Sequence, residues 1–222
     1  MQTTFWLRPL IGAGLGALMG WIVYRLVAQM PRWVASIPPV ASPPALLRYA
    51  APLLNALLCG YLGARWPWPW PFAGYALIGT GLLLLALIDG CYHVVPNLLV
   101  YPTVILSLGG RLALLGPADA LYAGLAGAVG FGFFLIVALL SRGGMGGGDV
   151  KLAGLIGVLV GFPDVFWALS LGIVAGGIAA LVLLAASAQE DERQMPYAPF
   201  LCLGALVALL WDPLPWLLAT FS

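Results

Sequence analysis

The sequence predicts an all-α, polytopic integral membrane helix bundle with about eight transmembrane helices. Three observations predict it. Only 8% of the 222 residues are charged and 63% are hydrophobic, whereas a soluble domain typically carries about 25% charged residues. Eight acids and nine bases are too few to coat a globule of this size in water. Apolar stretches near the ~20 residues that span a bilayer recur along the whole chain. Such stretches must be helical, because unpaired backbone groups are costly in lipid.

Taken in order, the hydrophobic segments fall at 9–29, 50–64, 72–88, 97–115, 119–140, 149–161, 165–187 and 198–219. The first follows a single base, Arg8. It could be a signal peptide, but Arg25 near its end and the lack of an A-x-A site favour an uncleaved helix. The second is short and runs into RWPWPWPFA, where alternating Trp and Pro suit a kinked interfacial turn. The sixth is also short and ends at GFPD. Residues 30–49, rich in Pro, Ser and Ala, read as an irregular linker. The whole chain, 1–222, is expected to form one membrane-embedded domain.

Basic residues set the orientation. If the loops at 30–49, 89–96, 141–148 and 188–197 face inward, then Arg25, Arg32, Arg48, Arg142, Lys151 and Arg193 lie on or near the inner face. Arg8, Arg65 and Arg111 lie toward the outer one. This places both termini outside and the Gly-rich turn in the cytoplasm. The bilayer is the obligatory partner. A net charge of +1 says nothing about nucleic-acid or acidic partners, and no nucleic-acid partner is expected. Small-xxx-small spacing at Gly12, Gly16 and Gly20, at Gly124 and Ala128, at Gly157 and Gly161, and at Gly172 and Gly176 permits close helix packing. The same spacing could serve a homodimer. Cys59, Cys91 and Cys202 form no CxxC pair, so no metal site or disulfide framework is indicated.

Charge within a bilayer is expensive, so each acid needs an account. Asp119 and Asp164 each precede a helix and read as N-caps. Asp212 suits an interface, and Glu190, Asp191 and Glu192 form a solvated run with Arg193. Two acids remain. Asp89 ends GLLLLALID, and Asp149 ends the glycine run of SRGGMGGGDVKL. Each closes or opens a hydrophobic segment at the inner side, so both are expected at similar membrane depth. Taken singly, Asp149 could be a helix-start acid and Asp89 a helix-end acid at the water boundary.

As a pair they suggest chemistry. Two carboxyls facing each other can share one proton, because like charges a few Å apart do not both ionise easily. The ionised member would take a proton from water while the protonated member polarises a carbonyl. That is general acid–base hydrolysis of a peptide bond, without metal or cofactor. The glycines would leave room for extended peptide to approach. His93, four residues after Asp89, could touch it if that stretch is helical, though GCYH and Pro96 make a loop equally plausible. Lys151 would not share the helix face of Asp149. It could anchor phosphates, tune Asp149, or simply follow the positive-inside rule.

At these residues the chain resembles the type IV prepilin peptidase family, the GxGD-type membrane aspartic proteases. Asp89 followed by Pro96-Asn97 is similar to that family's first catalytic aspartate and its Pro-Asp or Pro-Asn step. Gly146-Gly147-Gly148-Asp149-Val150-Lys151-Leu152 fits its G-x-G-D-x-K-L run. MPYAPFLCLGA, residues 195–205, is similar to the segment opening its last helix. The resemblance covers roughly 45–211. It implies that Asp89 and Asp149 are catalytic, with Gly146, Gly148, Lys151, Pro96 and Asn97 binding substrate or shaping the site. It also implies cleavage of prepilin or pseudopilin leader peptides at the cytoplasmic face of the inner membrane. The chain departs from the family's bifunctional members, whose cysteine-rich zinc-binding insert accompanies N-methylation. Residues 30–49 stand in that place with no cysteine, so a short, peptidase-only form is expected. The rival reading is a transporter or proton channel in which the two aspartates relay protons. Acids at segment ends beside a cytoplasmic turn suit it less well than acids at the midplane.

Overall fold

A computed structural model describes residues 3–34, 43–66, 69–141, 145–186 and 195–210. Arg142, Gly143, Gly144, the acidic run 190–192, Arg193 and Asp212 lie outside the described residues, as do 35–42 of the linker. Among the described residues all regular structure is α-helical, in eight helices. They are α1 (Thr3–Trp33), α2 (Leu47–Arg65), α3 (Trp70–Tyr92), α4 (Asn97–Leu114), α5 (Pro117–Leu140), α6 (Gly147–Val160), α7 (Asp164–Ala186) and α8 (Ala198–Leu210).

The expected order of segments holds, and the bounds shift. α1 runs beyond 9–29 at both ends, and α3 continues four residues past 88. Asp89 therefore sits inside the last turns of α3 rather than at its end. The expected count of spans needs refining. Five helices are long and apolar enough to cross a membrane: α1, α3, α4, α5 and α7. α2 has 19 residues, but Arg48, Tyr49, Asn55 and Arg65 dilute its hydropathy. α6 has 14 residues, which at 1.5 Å per residue gives about 21 Å, short of the ~30 Å hydrocarbon layer. The protein is a multi-pass membrane protein of helices.

The chain divides into two compact units, Met1–Tyr92 and His93–Ser222. In the first, α1 lies along α2 with almost no side-chain spacer. A Cβ at Gly12 would sit 2.5 Å from the carbonyl oxygen of Cys59, and one at Gly20 2.6 Å from that of Ala51. Gly16 is held as closely against Asn55. The buried Asn55 side chain donates to the Gly16 carbonyl at 3.0 Å and accepts from Thr80 of α3 at 3.1 Å. One amide thus joins all three helices. Interhelical polar bonds of this kind add about 0.6 kcal/mol each in membranes.

In the second unit α6 is the core element. Val150 and every residue from Leu152 to Leu159 are buried, as expected for a helix that is apolar all round. It meets α5 through glycine: a Cβ at Gly130 would lie 2.6 Å from the Ala153 carbonyl oxygen, and Gly157 abuts Ala126. Gly172 plays the same part between α7 and Leu201 of α8, at 2.9 Å. Gly161, by contrast, is the α6 C-cap with φ +77, and Gly124 has only Leu108 near, at 3.9 Å. Close packing within each unit therefore uses many, though not all, of the small-residue pairs.

Two expected caps are corrected. Asp119 is the third residue of α5, behind an N-cap at Gly116 and Pro117 at the first position. Its carboxylate accepts from Arg111 at 2.9 Å. The other arm of Arg111 donates to the Leu159 carbonyl at 2.8 Å, so one guanidinium joins the ends of α4, α5 and α6. Asp164 is the first residue of α7 rather than the residue before it.

Candidate active site

In the first unit the functional candidate is Asp89. It is 5% exposed, next to the fully buried Ile88. A carboxyl this deep is costly unless a polar group or a proton compensates, which is unlike a solvated helix-end acid. Tyr92, one turn on, donates its phenol to the Val27 carbonyl of α1 at 3.0 Å, so the last turn of α3 is pinned. His93 has φ +54 and lies outside the helix. Helical spacing from Asp89 does not extend to it, and the loop alternative holds.

In the second unit the site grows from two helix starts. Pro96 caps α4 with φ −71 and ψ 126. It needs no partner for an amide hydrogen it lacks, and its carbonyl accepts from Leu99 at 3.0 Å and Val100 at 3.2 Å. Asn97 is thereby placed as the first residue of α4, exposed, with Pro96 buried behind it. Gly146 caps α6 in extended conformation, φ −71 and ψ 141. Asp149 is the third helical residue, and its amide donates to the Gly146 carbonyl at 3.1 Å. Its half-buried carboxyl stands at the positive end of the helix, which favours its charged form. That carboxyl lies over the cap: a Cβ at Gly146 would be 3.5 Å from Oδ2.

These two starts meet. Lys151 Nζ donates to Asn97 Oδ1 at 3.0 Å. Gly148 faces Val95 so closely that a Cβ there would sit 3.1 Å from both Val95 Cβ and Cγ2. Six of the seven candidates (Pro96, Asn97, Gly146, Gly148, Asp149 and Lys151) thus gather where α4 and α6 begin. Gly148 is needed for an approach of protein to protein, whereas Gly146 is exposed and faces only the Asp149 carboxyl and the Gly148 amide of its own turn.

Sequence reasoning assigned no role to Tyr197. It precedes α8 and its ring lies on Gly176, where a Cβ would be 2.5 Å from Cε2. Phe134 stands 6.4 Å away, centroid to centroid. Burial pushes the Tyr197 phenol up, and the negative charge of Asp149 pushes it further. The only sequence signal for it was its place in MPYAPFLCLGA. Val95 and Tyr92 carry no pattern that marks them.

The type IV leader peptidase family matches the chain over residues 76–181. Residues 76–181 are thus similar to that family. The matched segment encloses all seven candidates, from Asp89 to Lys151, and stops short of Tyr197. A prepilin leader peptidase/N-methyltransferase of Bacillus subtilis is 28% identical over 163 residues, 73% of this chain and 65% of its own. One from Pseudomonas aeruginosa is 29% identical over 163 residues, 72% of this chain and 56% of its own. One from Stutzerimonas stutzeri is 31% identical over 173 residues, 75% of this chain and 57% of its own. The chain therefore spans less than two thirds of the length of these relatives. No solved structure matches it.

Proposed function

We propose that the chain is a membrane aspartic endopeptidase that removes the leader peptide of prepilin or pseudopilin substrates. The observation that carries this reading is the leader peptidase match, which encloses an aspartate buried in α3 and another in the first turn of α6. Asp89 belongs to one compact unit and Asp149 to the other, so the reading requires both.

In this mechanism the two carboxyls hold one proton between them. The ionised one removes a proton from water, and the oxygen attacks the scissile carbonyl. The protonated one hydrogen-bonds the carbonyl oxygen as negative charge develops there. The tetrahedral intermediate then collapses, its C–N bond breaks, and a proton passes to the leaving amine. The helix start around Asp149 favours it as the ionised member.

The active site faces the cytoplasm in the inner membrane, on the bias of the basic residues. Residues 30–49 offer no cysteine where a zinc-binding insert would stand, which supports peptidase activity without N-methylation. The test is co-expression with a prepilin-like substrate, read as a mobility shift on gels and as the mass of the mature product. Asp89→Asn and Asp149→Asn are each expected to abolish the shift while still inserting, since an acid–base group contributes about 10²–10⁴-fold. The product is expected to carry a free α-amine. Normal cleavage by either variant refutes the shared-proton mechanism, and a methylated product refutes the peptidase-only reading.

A further inference from the structure

The two contacts that join α6 to the start of α4 lie on one helix face. Gly148 and Lys151 are three residues apart, so they share that face. Gly148 rests on Val95, and Lys151 reaches Asn97. Asp149 follows Gly148 by one residue, about 100° round the helix at 3.6 residues per turn. Its carboxyl is therefore turned off the docked face by an angle that the docking itself fixes. The contact at Gly148 sets how near α6 comes, and the bond at Lys151 sets its rotation.

We infer that Lys151 and Asn97 are a positioning pair, whose bond sets the direction in which Asp149 presents its carboxyl to substrate. Neither residue needs to touch the reacting atoms. Lys151 uses its length to span the gap, and Asn97 supplies an acceptor fixed at the first position of a proline-started helix. This account leaves Lys151 with work that differs from phosphate anchoring and from tuning Asp149 by charge. It rests on the proposed peptidase activity, in which Asp149 is catalytic.

The test is a double-mutant cycle on the full chain in proteoliposomes, with a prepilin-like substrate. Asn97→Ala and Lys151→Met are each expected to lower kcat by about 10- to 100-fold, the range that a displacement of up to 1 Å commands, with KM within about twofold. The double variant is expected to be no worse than either single one, because both remove the same bond. Asn97→Asp retains an acceptor for the ammonium group and is expected to restore most of the rate. The acid limb of the pH–rate profile is expected to stay in place in all of these variants. Additive losses, or full activity in Asn97→Ala, overturn the pair. A shift of the acid limb in Lys151→Met with no effect of Asn97→Ala overturns it in favour of charge tuning.

Amide hydrogen exchange at 149–152 separates this inference from the activity it rests on. Both single variants and the double are expected to speed exchange there equally, whether or not the wild type cleaves. Unchanged exchange refutes the pair even if cleavage is established. Absence of cleavage by the wild type, with faster exchange in the variants, refutes the peptidase reading alone.

Discussion

Replacing Gly148 by alanine tests whether the glycine run exists for a substrate or for the protein itself. The added Cβ would meet Val95 Cβ and Cγ2 at 3.1 Å. Carbon atoms prefer about 3.5–4.0 Å, so the first turn of α6 must retreat by about 0.4–0.9 Å. Catalytic groups tolerate about 0.5 Å of displacement, and about 1 Å can cost 10²-fold. The expected loss in kcat is therefore about 10- to 100-fold. Overpacking costs about 1–3 kcal/mol, and the better helix propensity of alanine returns about 1 kcal/mol, so the variant still folds. Gly147→Ala is the control, because nothing stands within 4 Å of the Cβ it would add; its kcat is expected within about twofold of wild type. The assay is cleavage of a prepilin-like substrate in proteoliposomes, with kcat and KM separated. Equal losses in both variants, or a wild-type rate in Gly148→Ala, refute the close-approach argument. In the first case the glycines serve peptide clearance after all.

Three further outcomes are expected. Asn55→Ala removes two interhelical bonds, each worth about 0.6 and at most about 1.7 kcal/mol. Unfolding in mixed detergent should show a loss of roughly 1–3 kcal/mol, with Thr80→Val losing about half as much; no loss in Asn55→Ala contradicts the role given to the amide. Tyr197 has its phenol raised above the ordinary value of about 10, first by burial and then by Asp149. The unfolded chain therefore releases this proton at lower pH than the folded one, and stability falls as pH rises above about 10. Asp149→Asn should shrink that fall without removing it, and Tyr197→Phe should remove the Tyr197 contribution; identical alkaline curves in all three proteins contradict this. A cysteine at Met145, in a background without Cys59, Cys91 and Cys202, should react with an impermeant maleimide from the cytoplasmic side, and labelling from the outer side alone reverses the orientation.

The helical class and the order of its elements were legible because hydropathy is a signal of many residues at once. Where a single residue decides, the sequence was weaker. The end of α3 was placed at 88, since an acid after a leucine run looks like a stop; the helix runs on through the buried Asp89 to Tyr92, whose phenol is held by the Val27 carbonyl. Asp119 resembled a cap because Gly116 and Pro117 mark a helix start, but it is engaged by Arg111, eight residues back. The glycines of 146–148 looked alike in one dimension. Only tertiary contact separates Gly148, packed on Val95, from Gly146, which faces only its own helix turn. Lys151 and Asn97 were both picked out as site residues, yet their bond spans 54 positions and no local pattern encodes it. Tyr197 is the same case, as its neighbours Gly176 and Phe134 come from two other helices.

The seam between α1 and α2 has a consequence for how the protein meets its surroundings. Along Gly12, Gly16 and Gly20 the fit comes from missing side chains, backbone carbonyls and one neutral amide. None of these gains or loses a proton in the physiological range, and none is screened by ions. The seam is therefore deaf to acidity and salt. A change in pH or ionic strength would leave this frame in place. Lesions in the seam would show themselves early, during insertion, as chains that fail to fold.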